Sequence, residues 1–77
     1  MEKGRVVDYD IIKMFGERIR AVRLEKNMTQ NELSERCGIA PYYLSRIETG
    51  QLNVRMETLF AIAKGLGVNV AELVDGL

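Results

Sequence analysis

Histidine is absent from this 77-residue sequence, and cysteine occurs once, at Cys37. A zinc site built on cysteine and histidine is therefore excluded by ligand count. Ser-His-Asp and Cys-His nucleophilic mechanisms are excluded for the same reason, and a single thiol closes no internal disulfide. No metal and no cofactor are expected. Carboxylate pairs exist, but so short a chain has little room for the deep pocket that catalysis or a small-molecule ligand needs. The longest purely apolar stretch, Leu59 to Ala63, is far too short to cross a bilayer. The opening Met1-Glu-Lys-Gly-Arg lacks the apolar centre of a secretory signal, so a cytoplasmic protein with no membrane partner is expected. Net charge is missing too, with 11 basic against 11 acidic residues. That counts against nucleic-acid binding, whose usual sign is a basic footprint. The distribution softens the objection: residues 1–26 hold seven basic and five acidic groups, whereas residues 56–77 set Lys64 alone against Glu57, Glu72 and Asp75.

What is present is the composition of a folded domain, 47% apolar and 29% charged. A chain this short has a thin stability margin, which dimerisation would widen. Residues 1–8 show no period and are expected to be a flexible arm, leaving one domain over residues 9–77. From Tyr9 to Lys26, Ile11, Phe15, Ile19 and Val22 recur at helical steps, and Asn27 ends that helix. Thr29 and Glu32 form a capping box for a second helix marked by Leu33 and Cys37, which Gly38 stops. The lone proline, Pro41, suits the first turn of a third helix carrying Leu44 and Ile47, closed by Gly50. After a loop at residues 51–54, a fourth helix is expected to turn Met56, Leu59, Phe60 and Ala63 inward, with Gly65 and Gly67 ending it. Asn69 then caps a short fifth helix bearing Val70, Leu73 and Val74, with Glu72 at its third position. No segment alternates with period two over a useful length. The fold class expected is all-α, a compact five-helix bundle.

Two helices joined by a turn of three or four residues containing glycine define a helix-turn-helix, and Gln30 to Thr49 fits that unit position by position. Ser34 is small where the two helices cross, and Gly38 makes the turn. Leu33, Cys37, Ile39, Leu44 and Ile47 form an apolar wedge that leaves the rest of the third helix pointing outward.

With these features, residues 10–75 resemble the lambda-repressor/Cro-like, or XRE-type, helix-turn-helix domains. The stretch from Arg23 to Leu33, the run Leu44-Ser-Arg-Ile-Glu-Thr-Gly50 and the segment from Leu66 to Leu73 carry the resemblance. It implies DNA binding by symmetric dimers and transcriptional regulation, with the third helix in the major groove. Carried over by position, it makes Pro41, Tyr42, Ser45 and Arg46 base-reading residues, and Gln30, Tyr43, Thr49 and Asn53 contacts to the DNA backbone. It also implies a partly buried ion pair, Arg23 with Glu48, of structural role. Two departures stand out: Ala40 offers no capping oxygen to the recognition helix, and Pro41 can give a base only apolar contact.

Other features are weighed against ordinary roles. Cys37 reads as core filler. Tyr42 and Tyr43 cannot both face the core, and since Leu44 and Ile47 already fill the wedge, both are expected to face DNA. Arg18 and Arg20 are equally readable as phosphate ligands or as solvated charges. Val70, Val74 and Leu77 exceed what a lone final helix needs, so at least part of the set is expected to form a self-complementary dimer patch, the alternative being that they complete the small core. The expected function is thus a dimeric, sequence-specific regulator of transcription bound to palindromic operator DNA, without a small-molecule ligand. Compact phage repressors and the controller proteins of restriction–modification systems both fit, the controller being preferred. The alternative is an antitoxin or interaction module whose main partner is a protein.

Overall fold

The first helix, α1, carries Asp10 in its first turn, where a negative charge is favourable, and apolar residues recur behind it. The computed structural model describes residues 9–77, so the expected arm at residues 1–8 lies outside the described residues. α1 runs over Tyr9–Glu25 and ends where Asn27 takes a left-handed φ of 57°. It is followed by α2 (Gln30–Cys37), α3 (Pro41–Glu48), α4 (Met56–Leu66) and α5 (Val70–Val74). No strand occurs among the described residues. The bundle is thus all-α with five helices, α4 packing on α2 and α1 on both α3 and α5.

The local signals act as their chemistry requires. The Thr29 hydroxyl accepts the Glu32 backbone N–H at 3.0 Å, and the Glu32 carboxylate accepts that of Thr29 at 2.8 Å, so two N–H groups that a helix start leaves unpaired are satisfied. Gly38 stops α2 at φ 72°, a conformation that side chains with a Cβ disfavour. Ala40 leaves α3 without a side-chain cap. Asn69 opens α5, its N–H donating to the Glu72 carboxylate at 3.1 Å.

The core gathers Phe15, Ile19, Met28, Leu33, Leu44, Ile47, Ile62, Ala63, Leu66 and Leu73. Three parts of the expected packing are corrected. Met56 and Phe60 point outward, 74% and 55% exposed, while Ile62, Ala63 and Leu66 are buried and Leu59 half-buried. α4 is apolar around most of its circumference, so its stripe could be drawn in more than one phase, and the expected one is about a sixth of a turn off. Gly65 does not end α4 but lies buried within it, because α2 passes so close that a Cβ would sit 3.1 Å from that of Cys37. Gly67 alone makes the stop, at φ 75°. Ile11 sits at the rim rather than in the core, 40% exposed.

Gly16 is a contact that composition and periodicity did not flag. Glycine inside a helix costs about 1 kcal/mol relative to alanine, so an interior one asks for a reason. Here a Cβ would run into the Ile47 carbonyl oxygen and lie 2.9 Å from that of Glu48. The glycine lets α1 lie directly on the end of α3.

Candidate nucleic-acid interface

The turn between α2 and α3 is closed around one side chain. The Ser34 carbonyl accepts the N–H groups of Gly38 (2.9 Å) and Ile39 (3.2 Å). Its hydroxyl donates to the Ile39 carbonyl at 2.6 Å. Ser34 is therefore both small enough for the crossing and polar enough to satisfy the turn, which would otherwise bury an unpaired carbonyl. Leu33, Leu44 and Ile47 are buried beneath it, with Cys37 and Ile39 half-buried at its flanks. Burial also pushes the Cys37 thiol up from its ordinary value, as suits a side chain that serves as packing.

Helical geometry then orients the rest of α3. Leu44, Ile47 and Glu48 face inward, and Tyr42 and Arg46 fall on the opposite side with Pro41 and Ser45 beside them. Pro41 and Tyr42 are exposed, whereas Ser45 and Arg46 are half-buried. Tyr43 departs from the expectation that both tyrosines face outward. It lies on the flank of the buried face and packs partly against the core, while Tyr42 is 72% exposed.

This face is braced from behind. Arg23 donates from Nε to Glu48 Oε2 at 2.7 Å, from Nη2 to Oε1 at 3.0 Å and from Nη1 to the Met28 carbonyl at 2.8 Å. Both side chains are nearly inaccessible to solvent. The Gln30 amide donates to the same Oε1 at 3.0 Å, so the side chain carried over as a phosphate contact is engaged within the protein. Thr49, carried over as another backbone contact, is exposed and donates its hydroxyl to the Ser45 carbonyl at 3.0 Å. Its oxygen accepts from Gln51 at 2.9 Å.

Asn53 lies apart from these residues. It lines an apolar hollow of about 270 Å³ with Ile11, Leu59, Val74 and Leu77. Val74 is 40% exposed at that hollow, and Val70 and Leu77 are half-buried against the core. Of the expected dimer patch, Val74 and Leu77 thus line one hollow, whereas Val70 lines a separate one with Phe60 and Val68. Arg18 is neither of the things considered for it. Its guanidinium donates to the carbonyls of Glu72 (3.0 Å) and Asp75 (2.8 Å), tying α1 to the C-terminal end of α5. Arg20 is exposed.

A glycine-bearing turn between two short helices, a filled wedge beneath it and an outward recognition helix define the helix-turn-helix class of DNA-binding protein. The chain belongs to the helix-turn-helix family, whose profile matches residues 19–73. It is a family of transcription regulators and not of enzymes. The chain is 40% identical over 65 residues, 84% of each protein, to the HTH-type transcriptional regulator y4dJ of Sinorhizobium fredii. It is 40% identical over 63 residues to the control protein C.BamHI of Bacillus amyloliquefaciens, covering 80% of this chain and 78% of that one. The structure superposes on the restriction–modification controller protein C.AhdI of Aeromonas hydrophila with a TM-score of 0.80 and 30% identity, covering 86% of this chain and 98% of that one. No helix among the described residues is long and apolar enough to cross a membrane.

Proposed function

We propose that this protein binds duplex operator DNA as a symmetric dimer and regulates transcription in the cytoplasm, with α3 lying in the major groove. The observation that carries the reading is the outward face of α3, Pro41, Tyr42, Ser45 and Arg46, opposite a face sealed by Leu44, Ile47 and the Arg23–Glu48 pair. Arg46 reads a guanine, because its fork of donors matches the O6 and N7 acceptors that guanine presents in that groove. Tyr43, Thr49 and Gln30 flank the face and take phosphates, Gln30 after releasing Glu48. Asn53 is assigned to the DNA backbone as well, at the edge of the footprint. Val74, Val70 and Leu77 supply the two-fold contact. The likeness to C.BamHI and C.AhdI supports a controller of restriction–modification genes as the particular role.

The test is selection of bound duplexes from a random pool. The expected product is a palindrome whose half-sites lie about 34–36 Å apart along the axis, each with a guanine that loses its importance in the R46A protein. Affinity for random duplex should also fall steeply with salt. Recovery of no common sequence, together with a flat salt response, would sink the reading in favour of a module whose partner is a protein.

A further inference from the structure

Arg46 is the one residue among those described that has a buried side-chain nitrogen, Nε, without a hydrogen-bond partner. An arginine on an outward helix face is ordinarily free to extend until every N–H meets water. This one lies down instead. Its guanidinium carbon sits 5.7 Å from the centre of the Tyr42 ring, four residues earlier and one turn back along α3. The ring is the support and not a guest of the core, since Tyr42 is 72% exposed. Covering Nε leaves the two terminal nitrogens as the open edge of the fork. That end-on edge can meet two acceptors side by side.

We propose that Tyr42 is a positioning residue whose ring, and not its hydroxyl, holds the Arg46 guanidinium end-on toward the groove, so that the pair reads one base pair as a unit. The inference rests on the base-reading role proposed for Arg46 and alters the one carried over for Tyr42, which ceases to be an independent reader. The physical gain is pre-ordering. A flexible four-carbon stem loses rotamer freedom when it docks, and a stem already laid on a ring has less to lose.

The experiment measures dissociation constants of the full-length wild type, Y42F, Y42A, R46A and the double variant on the selected operator and its single-base-pair variants. Y42F keeps the ring and is expected to retain wild-type discrimination. Y42A is expected to bind about two- to fivefold more weakly per half-site, with the loss confined to the base pair whose identity R46A erases. In the R46A background the Tyr42 substitution should cost nothing further. Y42A should leave the salt slope unchanged, because the ring neutralises no phosphate. Equal losses in Y42F and Y42A would assign the reading to the hydroxyl and overturn the brace. So would additive effects of Y42A and R46A, or effects on different base pairs; either leaves Arg46 as a reader. Full discrimination in R46A would remove both that role and the brace.

Discussion

Arg23 is a charged side chain held inside a small domain, and its three hydrogen bonds explain why it is tolerated there. Two go to Glu48 and one to the Met28 carbonyl, so the guanidinium joins α1, the loop before α2 and the end of α3. Such a pair is weak evidence of net stabilisation, because removing two ions from water offsets most of their attraction. Breaking it is another matter. Arg23→Ala strands a buried carboxylate and is expected to cost about 3–5 kcal/mol. Total stability expected for 77 residues is about 4–12 kcal/mol, so chemical denaturation should find a large share of that margin gone. Replacing both partners with apolar residues of similar volume should recover most of that loss; a double variant as unstable as the single would show that the charge itself holds the fold. At Gly16 the contact with α3 reverses the usual sign of a helix substitution. Glycine to alanine in a helix ordinarily stabilises by about 1 kcal/mol. Here the added methyl meets the Ile47 carbonyl, so Gly16→Ala should destabilise by about 1–3 kcal/mol, read as a lowered denaturant midpoint.

Among the elements, α2 and α3 are of equal length and differ in how they start. Thr29 closes a complete capping box, whereas Ala40 supplies nothing, although its backbone already sits in the extended region a cap requires. Thr29→Ala is expected to cost about 1 kcal/mol. Ala40→Ser should instead gain about 0.5–1 kcal/mol by accepting an N–H at the start of the recognition helix. Denaturant unfolding with an unchanged slope would check both, and an Ala40→Ser variant no more stable than wild type would show that the first turn of α3 is already satisfied. The inner stripe of α4 is Leu59, Ile62, Ala63 and Leu66, which leaves Met56 and Phe60 outward.

For the whole molecule, the proposed dimer turns on the end of the bundle that carries α5. Arg18 anchors α5 through the carbonyls of Glu72 and Asp75, so Val74, and Leu77 just beyond the helix, are presented by an element too short to hold its own place. Val74 is the most exposed of the three patch residues. An aspartate there strands no charge in the monomer but places two like charges together in a symmetric contact. Val74→Asp should therefore sediment as a monomer at concentrations where the wild type is a dimer. It should keep its affinity for an isolated half-site and lose affinity for the full operator. A variant that still sediments as a dimer would move the contact elsewhere, and Met56 and Phe60 on α4 would be the next surface to test. In the proposed dimer the phosphate contacts of two subunits add, which offsets the neutral net charge of each.

Local chemistry alone determined the helix count and the turn. Thr29 with Glu32, Asn27, Gly38 and Gly67 each act on backbone groups within about one turn, so the residues involved stand side by side in the chain. The wedge of Leu33, Leu44 and Ile47 was legible for the same reason, because it repeats a helical period on both sides of a fixed turn. Tertiary structure decided what depends on a distant partner. It chose which side of a largely apolar α4 faces in, sent Arg18 to α5, gave Gly16 and Gly65 their roles as contact points, and drew Tyr43 toward the core. Close packing sets such choices, since the space left for a side chain is fixed only when another element arrives to fill the rest.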